Sequence, residues 1–204
     1  MLPLAARCAV YVEPRASILH LSGTPEVGVL VSKVSFDTPS TAAGLGLGWE
    51  ISPTVRIEFR YTDIGTVKAD VLSTQILPPL TGTQLVALHE YEFSQRSRLW
   101  SVALPIRVWA RDRLMLHFTP LIHCENTKTN LVRIDPQFGI PENPPPPVIR
   151  TVANRSNSTA LHPGAELSLA YGVAEHFSLT AYYTYAPLKN LDAHLFGLGL
   201  GLSF

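Results

Sequence analysis

The chain has no apolar run of ~18 residues, the length at which a helix crosses a bilayer, so no transmembrane helix is expected. It has no charge surplus either: 16 basic and 16 acidic residues cancel among its 204. A nucleic-acid binder would normally show a basic excess, and that class is set aside. Cysteine is scarce, with only Cys8 and Cys124. The topology derived below puts them near opposite ends of the fold, beyond the ~7 Å Cα separation that a disulfide needs. Residues 1–9 lack both the basic start and the long apolar stretch of a secretory signal. Residues 1–8 are therefore read as a remnant or leader, the signal being absent from this sequence or lying upstream. Arg7 stands where a lipoprotein box before Cys8 wants a small residue, so lipidation is not expected. Two polar clusters, His89 with Glu90 and Glu92 and His123 with Cys124 and Glu125, lack the spacing of a recognised zinc site. They are read as solvated side chains, and no cofactor or metal is expected.

The residues that are present form strands. From His194 to Phe204, large apolar side chains occupy 196, 198, 200, 202 and 204, with only glycine and serine at the odd positions from 197 to 203. A strict period of two is a strand and not a helix. The same alternation recurs seven more times. The first segment runs from Ala9 to Ser22 and the second from Thr41 to Ile51. The third puts Val55, Ile57, Phe59 and Tyr61 on one face, and the fourth, Ser97 to Trp109, does so with Trp100, Val102, Leu104, Ile106 and Val108. Leu114 to Ile122, Ala165 to Val173 and Phe177 to Tyr185 complete the set before the last strand. The 17 prolines and 13 glycines suit many strands punctuated by turns.

Joins alternate in length. Turns of three or four residues connect segments two–three, four–five and six–seven, whereas segments 23–40, 67–96 and 127–158 read as long loops. The last of these holds the stiff run Pro144–Pro147, which cannot pair as a strand. Short turns at one end and long loops at the other is the pattern of outer-membrane barrels, with the turns periplasmic.

The two faces then decide between a soluble and a membrane barrel. One face carries Trp49, Tyr61, Trp100, Tyr171, Phe177, Tyr183, Tyr185, Phe196 and Phe204, several near strand ends as in interfacial girdles. The other carries Glu13, Arg15, Glu58, Arg60, Arg107 and Glu166, with Glu50 and Arg56 nearer the turns. Both signs on one face predict a paired network filling the interior in place of an apolar core. The fold class expected is all-β: an eight-stranded antiparallel up-and-down transmembrane barrel spanning residues 9–204.

On these residues the chain resembles the small eight-stranded outer-membrane barrels typified by the OmpA transmembrane domain and OmpX. In that family a terminal aromatic preceded by alternating hydrophobics is read by the barrel-assembly machinery. The resemblance implies that role for Phe196, Leu198, Leu200, Leu202 and Phe204. It further implies a bacterial outer-membrane location, contact with outer-membrane lipids and lipopolysaccharide, a monomer, and a structural or surface-interaction role carried by the loops toward a host or surface ligand. Such barrels host unrelated functions. A lipid A deacylase of the PagL type is one alternative, because His176-Phe177-Ser178 matches its His-x-Ser pair. No Glu follows Glu175, however, and the pair falls at a turn on the periplasmic side, so no catalytic residue is assigned. An OmpW-like channel for small hydrophobic molecules is the other, since Leu19, Leu21, Leu99, Met115 and Leu121 share the inward face.

Overall fold

The computed structural model describes residues 10–23, 31–36, 40–77, 85–135, 149–188 and 191–204. Residues 1–9, and with them Cys8, lie outside this set, as do residues 24–30, 37–39, 78–84, 136–148 with the whole proline-rich segment, and 189–190. The described chain is all strand: β1 (Val10–Ser22), β2 (Val31–Phe36), β3 (Ser40–Glu50), β4 (Arg56–Leu77), β5 (Leu85–Ala103), β6 (Ile106–Arg111), β7 (Leu114–Asp135), β8 (Ile149–Ala174), β9 (Phe177–Leu188) and β10 (Leu191–Ser203).

These strands close into an antiparallel eight-strand barrel. Each neighbour in the circuit β1–β3–β4–β5–β7–β8–β9–β10 is hydrogen-bonded to the next, and β10 returns to β1 with Tyr11 opposite Ser203 and Ser22 opposite Asp192. Strands β5 and β6 are one wall interrupted at Leu104–Pro105. Pro105 has no N–H to give, and the break is bridged by Leu104 N–H donating to Pro120 and Arg56 N–H donating to the Pro105 carbonyl, both at 3.0 Å. β2 is additional: it lies outside the circuit and pairs with β4 alone.

The tight turns sit where alternation put them. Asp112 takes a left-handed φ of 53° between β6 and β7, a conformation that Asp tolerates in a hairpin turn. Between β3 and β4 the Ser52 hydroxyl accepts from the backbone N–H groups of Thr54 and Val55 at 3.3 and 3.1 Å, holding the turn around Pro53.

Two of the expected loops are instead mostly strand. β4, β5, β7 and β8 run for 22, 19, 22 and 26 residues, against 11–13 for β1, β3, β9 and β10. A tilted strand crosses a bilayer in ~9–11 residues. One half of the barrel therefore projects well past the membrane as a sheet, through most of segments 67–96 and 127–158. The alternation does not stop there; its polarity inverts. Below, apolar side chains point out and charges point in. Above, Val67, Ala69, Val71, Tyr91, Phe93 and Leu131 are buried while Lys68, Asp70 and Arg96 are exposed. A search for apolar-outward strands ends at that inversion.

The exterior of the lower half is apolar. Trp100 is 60 % exposed, Ile122 59 %, Leu161 71 % and Leu198 57 %. A water-soluble barrel would bury this face. Rings meet on it in pairs: Tyr61 with Trp100 at 4.7 Å, Tyr183 with Phe196 at 4.8 Å, and Trp49 edge-on to Phe59 at 6.0 Å. Along β8 the outward apolar positions run from Val173 to Leu161. Twelve residues at ~3.3 Å rise and ~40° tilt give a band of ~30 Å, a hydrocarbon thickness. No described helix is long and apolar enough to cross a membrane, which is silent about strands.

Candidate functional site

The lumen is built in layers, each set by which strand contributes its inward positions at that height. At the turn end lies a cavity of about 720 Å³, lined among others by Tyr11, Glu50, Arg56, Met115, His117, Glu175, His176 and Ser178. His176 and Ser178 both border it, with no hydrogen bond between them, and the catalytic pair considered from sequence has no orienting acceptor in place among the described residues.

Above the cavity an ion cluster crosses the lumen. Glu166 of β8 accepts from Arg15 of β1 at 2.6 Å, from Arg60 of β4 at 2.8 Å and from the Thr184 hydroxyl of β9 at 2.6 Å. Arg60 also reaches Glu58 at 2.5 Å, and Arg15 lies 3.3 Å from Glu13. Tyr11 donates its hydroxyl to Glu58, and the Arg15 guanidinium stacks 3.6 Å above the Tyr182 ring. Glu58, Arg60 and Glu166 are buried. Glycines make the space: a Cβ at Gly48 would stand 2.4 Å from the Tyr11 ring, one at Gly197 2.4 Å from Tyr182, and one at Gly199 2.5 Å from the Glu13 carboxylate. The glycine rows of β3 and β10 therefore serve the interior, letting bulky partners lie flat against the wall.

Five of the six charged residues singled out from sequence thus stand in contact. Arg107 stands apart: it faces inward opposite His117 at the turn-end rim, and among the described residues no ion pair joins it to the other five. Alternation assigns a face but not a height, and the break at Leu104–Pro105 sets Arg107 low. Tyr11, Thr184 and Tyr182 were not picked out, although each has inward parity.

Over the ion cluster sits an apolar layer. Leu19, Leu21, Ile64, Val67, Leu99, Leu188, Leu191 and Leu195 pack together with three alanines, all buried. Three of the five inward hydrophobics noted from sequence, Leu19, Leu21 and Leu99, belong to it. Leu121 is buried beside it and Met115 lines the turn-end cavity instead. Between the ion cluster and this layer a void of about 30 Å³ is bordered by Arg15, Arg60, Ser101 and His123, room for about one water.

Level with the ion cluster and the apolar layer, on the β5–β7 side of the lumen, lies a second polar group, with His123 opposite Ser101 and Glu125 opposite Leu99. Here the expectation of solvated His123, Cys124 and Glu125 fails. Glu125 is 1 % exposed and accepts from Ser97 at 2.9 Å and from Thr127, with His162 at 3.3 Å. His123 bonds Ser101 at 2.6 Å inside the barrel, whereas Cys124, one residue on, faces outward between Trp100 and Leu161. Adjacent strand residues point to opposite faces, so these three cannot converge on one ion. Among the described residues no group of three His, Cys, Asp or Glu could hold a metal. Glu90 and Glu92 lie on β5, and the His89 side chain is outside the described set.

Solved structures align with this architecture over nearly its whole length. It has the fold of the small outer-membrane barrels. The attachment invasion locus protein Ail of Yersinia pestis superposes with a TM-score of 0.53 at 9 % identity, covering 97 % of this chain and 99 % of that one. A second Ail structure, in complex with the heparin analogue sucrose octasulfate, gives 0.53 at 12 % identity with the same coverage. The outer membrane protein AlkL in lipid bilayers gives 0.50 at 12 % identity over 100 % of this chain and 93 % of that one. No family model matches the sequence, and no curated protein matches it either. At these identities the likeness is one of fold. With the apolar exterior and charged interior, it marks the chain as a transmembrane β-barrel of the outer-membrane type.

Proposed function

We propose that the protein is a closed outer-membrane barrel whose role is structural or surface-directed, with recognition carried by the part that projects from the membrane. The observation that supports this reading is the content of the lumen: an ion cluster drawn from β1, β4, β8 and β9, and a packed apolar layer over it. Eight strands leave an interior just wide enough for side chains, and here the side chains are large and mutually bonded. The close packing of the layer's buried leucines argues against an open hydrophobic channel along the same path. The projecting walls of β4, β5, β7 and β8 supply the surface available to a host or environmental ligand. No catalytic role is proposed, and a monomer assembled by the barrel-assembly machinery remains the working picture.

Reconstitution in planar bilayers tests it. Wild-type protein should give no steady conductance, and vesicles containing it should not swell in small sugars or take up alkanes faster than empty ones. Persistent unitary currents, or accelerated alkane uptake, would count against the sealed interior. Removing residues 70–92 and 131–151, which shortens the projections and keeps the membrane band, should abolish surface binding while leaving a folded, heat-modifiable barrel.

A further inference from the structure

The outer wall carries a second feature, one that lies outside the lumen. Cross-strand register lines up outward residues of β4, β5, β7 and β8 in rows. The top row of the apolar band is Tyr61, Trp100, Cys124 and Leu161. The next row outward is Asp63, Arg98, Asn126 and Thr159, followed by Thr66, Arg96, Lys128 and Asn157, then Lys68, Ser94, Asn130 and Arg155. Three consecutive rows thus hold five cations and one carboxylate. All five cations are exposed, Arg96 and Arg98 with half of their side-chain surface free. Asp63 pairs with Arg96 at 3.1 Å and Arg98 at 3.7 Å, while Lys68, Lys128 and Arg155 have no ion-pair partner among the described residues. The other described carboxylates on this outward face stand further out, Asp70 and Glu92 in the next row and Glu90 in the one after.

Position makes the patch specific. Rows are two residues apart, so at ~3.3 Å rise and ~40° tilt each stands ~5 Å above the last. The cations begin ~5 Å above the ring row that ends the hydrocarbon band, and their stems are long enough to bend back to its edge. That is the level of lipid headgroup phosphates. The opposite half of the barrel differs: at this height the described outward residues of β1, β3, β9 and β10 include His20, Ser22, Thr41, Ala43, Tyr185, Asp192 and His194, with no lysine or arginine.

We propose that the outward face of β4, β5, β7 and β8 binds the phosphates of an outer-leaflet glycolipid, the occupant being lipopolysaccharide held laterally on one side of the barrel. Charge complementarity and continuity with the apolar band argue for a lipid over a soluble anion, because one molecule can place acyl chains on Trp100, Cys124 and Leu161 and its phosphates on the rows above. The proposal is independent of what the interior or the projecting tips do.

Fluorescence transfer tests it on the full chain in phosphatidylcholine nanodiscs. Trp100 serves as donor in a W49F/W109F background, and dansyl-labelled diphosphoryl lipid A is the acceptor. The variant K68Q/K128Q/R155Q removes three cations that make no ion pair among the described residues, so the fold is expected to stay intact by heat-modifiability. At ~1 kcal/mol for each cation near a charged surface, it should lose about 100-fold in lipid A affinity. Dephosphorylated lipid A should bind the unmutated background as weakly as diphosphoryl lipid A binds the variant, and inorganic phosphate should displace little at ordinary buffer concentration. Three results would overturn the proposal: unchanged affinity in the triple variant, equal binding of phosphorylated and dephosphorylated lipid, or an equal loss from the turn-end variant R111Q/R113Q. Full displacement by inorganic phosphate would also overturn it, by showing a plain anion site.

Discussion

Replacing Glu166 by alanine tests the interior most directly. The carboxylate is 2 % exposed and accepts three hydrogen bonds, from Arg15, Arg60 and Thr184, at 2.6, 2.8 and 2.6 Å. Its loss strips each guanidinium of its cross-lumen partner. Neither is left bare, because Arg60 keeps Glu58 and Arg15 keeps Glu13. The penalty therefore falls at the low end of the range for a broken buried ion pair, about 3 kcal/mol. Against a urea slope of about 2 kcal/mol per molar, the unfolding midpoint in lipid vesicles should drop by about 1.5 M. Glu166→Gln keeps an acceptor for Thr184 and should lie between the two. Thr180→Ala is the control: its hydroxyl makes one long bond of 3.4 Å to Glu13, and its removal should cost no more than about 1 kcal/mol. Removing Arg60 and Glu166 together, as Arg60→Met with Glu166→Leu, should cost less than the sum of the single changes, since the pair's members no longer face a missing partner. In a soluble barrel with this face in water, Glu166→Ala would cost about 0–1 kcal/mol, as surface ion pairs do. Equal midpoints for wild type and Glu166→Ala would refute the buried cluster and the sealed-lumen argument with it.

Other expectations follow from the same structure. Leu198→Arg places a charge in the middle of the apolar band and should lower stability in vesicles by about 2–4 kcal/mol; an unchanged midpoint would mean the face does not meet lipid. Gly197→Ala drives a methyl into Tyr182 and the Ala16 carbonyl and should cost about 1–3 kcal/mol, whereas Gly46→Ala, where a Cβ meets nothing nearer than 3.7 Å, should be tolerated; a thermal melt of both checks the contrast. Asp63, above the membrane band, is held below the usual carboxylate range by the Gly65 amide and by Arg96 and Arg98. A depressed folded-state pKa stabilises above the unfolded value and is lost as pH falls through the folded one. The deficit of Asp63→Asn should therefore be present at neutral pH and vanish in acid, and a pH-independent difference would contradict it. Deleting Phe204 tests the proposed assembly signal, with loss of the heat-modifiable band in cells expected and normal insertion the contrary result.

Much of this fold can be read directly from the chain. The period of two near the C-terminus cannot be a helix: Phe196, Leu198, Leu200 and Leu202 must share a face, and the charges at Glu13, Arg15, Glu58, Arg60 and Glu166 must share the other. Short turns at Asp112 and at Glu175–His176 oblige their flanking strands to be antiparallel neighbours. These are local consequences of backbone geometry, so eight strands, their order and their two faces were legible without coordinates. Height was not. How far each strand is staggered against the next depends on bulges and on closure of the whole circuit, and only that stagger brings Glu166 between Arg15 and Arg60 while leaving Arg107 at the rim. The projecting walls escaped for a related reason. Once the surroundings change from lipid to water, the favoured polarity of the two faces reverses, so Val67, Ala69 and Val71 keep the period but swap its meaning. The sequence alone carried the alternation; the solvent outside each row, and the partner across the lumen, are properties of the closed barrel in its membrane.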